Sequence, residues 1–224
     1  PYEILSGLVG SEMCIRDSNE AGASDHTRQL LSQAEMADVT MAPAADMFEM
    51  GVQLQVLKRG TMFPMRAQKL YELYRQYDSV DEIPTEERDK IEKQVFHQPL
   101  TKIWEQTEAF FLERDPQQVE RAQNHPKRKM ALIFRWYLGL SSRWSNTGEK
   151  GREADYQIWC GPAMGAFNAW TKDSYLADPQ QRSVVDVAEH LMRGAAYLSR
   201  LQLMSHIGVL IPNTLKTYNP YPLQ

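Results

Sequence analysis

The sequence predicts a mainly α fold with one short α/β stretch near its start, and three observations carry that expectation. From Thr61 onward apolar residues recur at spacings of three and four, which lays apolar stripes along helices. Strict alternation at period two is confined to Val52, Leu54 and Val56 against Gln53 and Gln55. The chain has 224 residues of which 42% are hydrophobic, enough to bury a sizeable core.

The elements follow in order. Ser24 is an N-cap candidate for a helix carrying Leu30, Leu31 and Ala34, and a β-prone run at Val39 to Met41 comes next. The alternating run that follows is bracketed by Gly51 and Gly60. Phe63, Ala67, Leu70, Tyr74 and Tyr77 then mark one helix, and Leu100, Ile103, Trp104, Thr107, Phe110 and Phe111 mark another. Two "DPQQ" tetrads, at 115–118 and 178–181, place Asp before Pro as at a helix start. "KMALIFRWYLGL" is apolar nearly all round, so residues 130–140 form the central buried helix, and its Arg135 needs an anion, an acceptor or the surface. A last long helix carries Val184, Ala188, Leu191, Ala195 and Leu198, and the ending "YNPYPLQ" reads as irregular and loosely held.

The opening residues behave differently. "LVGSEMCIRDS", residues 8–18, has no helical or strand period. The nucleotides GAG ATG TGT ATA AGA GAC AG translate to "EMCIRD" and the start of a further codon, so the string resembles a translated sequencing-library adapter. On that reading residues 1–18 are non-native, stay outside the fold and lack packed contacts. Leaving them out removes Arg16 and three acids, Glu3, Glu12 and Asp17, which takes 25 basic against 29 acidic residues to 24 against 26. Cys160 is then the remaining cysteine.

Composition excludes several classes of function. The nearly even charge argues against nucleic acid as a partner. No run of eighteen apolar residues occurs and no signal-peptide order opens the chain, so no membrane association and a cytoplasmic location are expected. Two cysteines give no disulfide framework. The five histidines, at 26, 97, 125, 190 and 206, share no spacing that puts two on one helical face, so no metal site is expected. G-x-S-x-G, P-loop and G-x-G-x-x-G patterns are absent.

Two features leave alternatives open. "CGPAMGAFNAW", residues 160–170, is either a wall of a ligand site or, the ordinary reading, tight helix packing through its glycines. Within it Cys160 reads as an inert buried thiol, since no activating base stands beside it. Lys58 and Arg59 at a strand end, with Lys127, Arg128 and Lys129 before the most buried helix, are either a solvated face or a docking patch for an acidic partner.

Three strings carry a resemblance: "APAADMFEMGVQLQVLKRGTMFPMRAQKLYELYRQYDS", "KRKMALIFRWYLGLSSRW" and "DYQIWCGPAMGAFNAW". They resemble the C-terminal part of the PfaD family, flavin-dependent enoyl reductases of polyunsaturated fatty acid and trans-acting polyketide synthases, which are similar to nitronate monooxygenases. The resemblance implies a helical C-terminal region following the last β/α unit of a truncated TIM-type (β/α)8 barrel. It implies FMN and NAD(P)H as cofactors of the full-length protein, and acyl carrier protein and other synthase subunits as partners. The corresponding division is 1–18 adapter-derived, 19–60 barrel remnant, 61–210 helical domain and 211–224 irregular tail. Catalytic and flavin-binding residues are expected upstream, so none is assigned here and the chain alone is expected to bind no cofactor stably. Residues 42–51, Ala42 through Gly51, are the candidate lining of the active site. Two alternatives stand beside the reductase: a helical module that docks carrier protein or synthase without chemistry of its own, and a nitronate monooxygenase-like flavoprotein.

Overall fold

The computed structural model describes residues 16–223, in two compact units. One comprises residues up to Val39 together with Cys160 onward, and the other runs from Thr40 to Trp159. The fold is mainly α, as the periodicity requires.

In the unit formed by the two ends of the chain, α1 (Asp25–Ser32) starts where Ser24 accepts a hydrogen bond from the Thr27 amide, as expected of that cap. Its last carbonyls are satisfied from elsewhere: the Asn168 side-chain amide donates to Leu31 O and Ala34 O, both at 2.8 Å. Asn168 belongs to α7 (Pro162–Thr171). Gly165 on the same helix is needed for close approach, because a Cβ there would collide with the backbone of Glu35 and Met36. The long α8 (Val184–His206) is capped by Ser183, which accepts from Asp186 N at 3.1 Å, and buries Val187, His190 and Gly194. The second "DPQQ" forms only a 3-10 turn, Pro179–Gln181, although Asp178 does accept from the Gln180 amide.

Two expectations for the chain ends change here. Residues 1–15, including Val9 and Ile15, lie outside the described residues, but Asp17 and Ser18 at the end of the adapter-like string are buried. Asp17 pairs with a fully buried Arg182, whose guanidinium also donates to Leu176 O (2.7 Å) and Asn168 Oδ1 (2.9 Å). Burial holds the Asp17 carboxyl above its ordinary range, and Arg182 opposes that shift. The ending is not loosely held either. Trp170 Nε1 donates to Tyr218 O at 2.7 Å, Tyr197 OH donates to Leu215 O at 2.8 Å, and the Tyr218 hydroxyl lies 2.9 Å from His190 Nδ1.

The other unit starts with β1 (Val39–Pro43) and β2 (Gln53–Leu57), neighbours in a two-stranded sheet. The nine residues between them are too few for a parallel crossover, so the pair is antiparallel, unlike the parallel strands of a (β/α)8 barrel. Trp159 adds an antiparallel bridge to Val56 on β2. Helices α2 (Phe63–Gln76), α3 (Thr85–Ile91), α4 (Leu100–Arg114), α5 (Pro116–Asn124) and α6 (Pro126–Thr147) follow. The first "DPQQ" opens α5 with Pro116 in its first turn, but Asp115 makes no side-chain cap bond. The 22-residue α6 contains the expected central helix, with Met130, Ala131, Phe134, Tyr137 and Leu138 buried. It closes at Gly148 with φ 69°, the left-handed conformation that glycine adopts without strain.

A polar hub lies inside this unit. The Asp155 carboxylate is buried, pairs with Arg66, accepts from Tyr137 OH at 2.8 Å, and meets Arg152 Nη1 at 3.0 Å. Burial, reinforced by the Asp155 charge, pushes the Tyr137 phenol far above its usual range, so it stays a donor. Arg152 donates onward to Val95 O (2.8 Å) and Phe96 O (2.6 Å) and holds the end of a π-helical turn, Glu92–Phe96. That turn passes into His97 with φ 58°. Among the described residues no helix is long and apolar enough to cross a membrane.

Candidate functional site

The sequence candidates do not converge on one place. Residues 42–51 turn from β1 toward β2 with Phe48 as their anchor. Phe48 is buried against Tyr71, Tyr74 and Phe134 at ring-centroid distances of 5.5, 5.2 and 6.3 Å. Gly51 sits at φ 73° with the Tyr71 hydroxyl where a side chain would begin, so no other residue fits there without strain. Glu49 lies 3.7 Å from Arg135 and supplies the anion that this arginine of the central helix required. Met47 and Met50 are left exposed. The loop is a packed wedge with an apolar outer edge.

The basic string before α6 does not form one patch. Lys127 donates to Tyr77 O, lies 3.2 Å from Asp78 and sits over the Tyr74 ring at 4.6 Å. Arg128 donates to Gln118 Oε1 at 2.6 Å. Lys129 lies over the Trp104 ring at 4.8 Å. Successive helical residues point about 100° apart, which separates the three heads. Lys58 and Arg59 are exposed at the end of β2.

Lys129 and Trp104 instead line a groove of about 520 Å³ between α3, α4 and the start of α6. Its floor is apolar, with Leu100 and Ile133, and Arg88, Asp89 and Glu92 stand along its side. Glu92 is already engaged, accepting from the Leu100 amide at 2.7 Å and so capping α4. The groove thus offers an aromatic face, a cation held over it and an apolar floor. That equipment suits binding, and it supplies no nucleophile. Sequence reasoning placed Trp104 on a helix and Lys129 in a basic string without joining them. The π-helical turn that shapes the rim leaves no periodic mark to read.

The remaining candidates resolve as packing. Cys160 is fully buried, and Gly165 closes α7 onto the backbone at Glu35 and Met36, so 160–170 is a packing segment. His190 is buried between the Tyr218 and Tyr175 hydroxyls at 2.9 and 3.0 Å, and burial lowers its pKa. Among the described residues no group of three or more His, Cys, Asp or Glu could hold a metal ion.

Comparison with known proteins gives this geometry a context. The chain is 48% identical over 207 residues to one of the polyunsaturated fatty acid synthase subunits of Thraustochytrium sp., covering 90% of this chain and 13% of that protein. It is 41% identical over 186 residues to the polyketide biosynthesis protein PksE of Bacillus subtilis, covering 83% of this chain and 24% of that protein. The chain therefore spans a quarter or less of the length of these relatives. Among solved structures it is similar to the enoyl reductase domain of MlnA from the macrolactin biosynthesis cluster of Bacillus amyloliquefaciens. There the TM-score is 0.81 with 34% sequence identity, over 86% of this chain and 43% of that one. The family model that matches is the inserted helical domain of [acyl-carrier-protein] S-malonyltransferase, over residues 77–156, and this corrects the PfaD assignment made from the three strings.

Proposed function

We propose that this chain is the helical part of an FMN-dependent enoyl reductase that reduces enoyl thioesters on acyl carrier protein, with NAD(P)H, in polyunsaturated fatty acid or polyketide biosynthesis. The likeness to the MlnA enoyl reductase domain carries this reading, because it extends over most of the chain at substantial identity. The relatives' names, from polyunsaturated fatty acid and polyketide biosynthesis, support the same chemistry.

The described residues do not fit a flavin. A flavin phosphate needs glycine-lined backbone that leaves room for it. Here the space over Gly165 is filled by main chain and that over Gly51 by the Tyr71 hydroxyl. We therefore assign FMN, nicotinamide and a (β/α)8 barrel to the length of the parent protein that this chain does not span, and no chemical step is assigned to these residues.

A second reading, a module that docks carrier protein, is favoured by one observation. The matched family model is the helical insertion of an enzyme whose printed name includes acyl carrier protein, and the Trp104–Lys129 groove lies inside the matched residues. The two readings are compatible in one protein.

The test uses the complete parent protein. It should purify with bound flavin and oxidise NADPH when given an enoyl thioester on carrier protein; colourless protein, or no oxidation, overturns the reductase reading. Residues 19–224 alone should show neither property. Stoichiometric flavin binding with turnover above free FMN would overturn the assignment of the cofactor to the rest of the parent.

A further inference from the structure

Helix α8 is apolar on two opposite faces, and only one of them is used. Its inner face buries Val187, His190 and Gly194, with Leu191 packed against Phe167 and Leu176. On the opposite side Val185, Met192 and Leu203, with Ile207 at the C-cap, are 68%, 71%, 64% and 73% exposed. Ala196 and Ser199, also exposed, stand between them. At about 100° per residue these six fall within about 40° of a single line along the helix. A helix that is apolar all round belongs inside an assembly.

We infer that this face pairs with the same face of a second copy of the chain, as an antiparallel two-fold helix pair. The distribution of sizes along the stripe carries the choice of occupant. The large residues sit toward its two ends, Val185 and Met192 at one and Leu203 and Ile207 at the other, while Ala195, Ala196 and Ser199 occupy the middle. Such a stripe is complementary to itself reversed. With the crossing near Ala196, Val185 meets Ile207 of the partner subunit and Met192 meets Leu203 of the partner subunit. The small central residues let the axes come within about 8 Å. A two-fold interface needs this self-complementarity, because each copy offers the same patch. The apolar side chains exposed from Val185 to Leu210 offer on the order of 800 Å², about what each partner of a stable interface contributes.

The test is the mass of the 224-residue chain by light scattering across a dilution series, with far-UV circular dichroism to check the fold. A two-chain mass that falls on dilution is expected. Met192→Glu alone and Leu203→Lys alone should each weaken association at least tenfold with helicity unchanged. Combined, they should restore the dimer, because each Glu then meets a Lys of the other copy. Within one chain the two positions stand eleven residues apart, about 16 Å, so the rescue has no route inside a single copy. A monomer at all concentrations overturns the inference and leaves the face to another part of the parent protein. A dimer that ignores both single changes overturns it too, and single changes that dissociate without rescue in the double variant overturn the antiparallel pairing.

Discussion

Asp17 and Arg182 stand 165 residues apart in sequence and form an ion pair buried on both sides. Removing one partner leaves the other charge buried alone, which costs about 3–5 kcal/mol, whereas apolar replacement of both is far milder. Asp17→Leu and Arg182→Met should therefore each lower the urea midpoint markedly. The double variant should lose clearly less than the two losses added together. It does not return fully to the starting value, since Leu176 O and Asn168 Oδ1 also lose a donor. Strict additivity of the two losses would show that the pair is not coupled.

The glycines of α6 and α7 make a contrasting pair. Gly165→Ala drives a Cβ into the main chain at Glu35 and Met36, which cannot yield as a side chain would, and should cost about 3 kcal/mol or more. Gly139 on α6 has nothing within 4 Å of a built Cβ, so Gly139→Ala should raise stability by about 0.5–1 kcal/mol through its better helix propensity. Chemical denaturation of the two variants checks both signs.

His190 sets a pH dependence for the chain's end. Burial lowers its folded pKa below 6.5, and the backbone contact from Tyr221 only partly opposes this. Of the charged groups near it, Arg193 lowers the value further, while Asp186 and Glu189 raise it. The unfolded state therefore binds the proton first on acidification. The stabilisation from neutral His190 is fully present above pH 6.5 and is lost as pH falls through the lower folded value. Amide exchange of residues 213–221 should accelerate over that range, and His190→Gln should flatten the profile. An unchanged profile in the variant would remove His190 as the cause.

Charge reversal separates the two kinds of basic residue. Lys127→Glu loses the bond to Tyr77 O and repels Asp78, so it should reduce stability. Lys58→Glu and Lys129→Glu in the parent protein should leave stability nearly unchanged. They should weaken carrier-protein binding, with the loss shrinking at high salt. Unchanged affinity at low salt would return Lys58 and Lys129 to a solvated role.

What the sequence displayed was local. Ser24 as a cap, the alternation ending in Val56 and the apolar run of α6 depend on near neighbours, and each appears in the fold. What it concealed was assembled at a distance. Asp155 gathers Arg66, Tyr137 and Arg152 from separate stretches, and Arg135 finds Glu49 across 86 positions. Adjacency in sequence also misled: Lys127, Arg128 and Lys129 are consecutive, and their helix turns them to three different partners. The groove belonged to this second kind, because Trp104 and Lys129 meet only after α4 and α6 pack.

The order of the strands also bears on how such a chain is made and inherited. The unit from Thr40 to Trp159 begins on β1 and finishes beside β2, the strand that β1 itself pairs with, so its two ends lie roughly 10 Å apart. A segment with neighbouring ends can be spliced into a host at a single loop, which makes this unit a cassette that gene rearrangement could carry between unrelated enzymes. The ribosome meets the same arrangement in time. The first part of the unit built from the chain's two ends emerges early and must wait through the synthesis of 120 residues, from 40 to 159, before Arg182 arrives to neutralise Asp17.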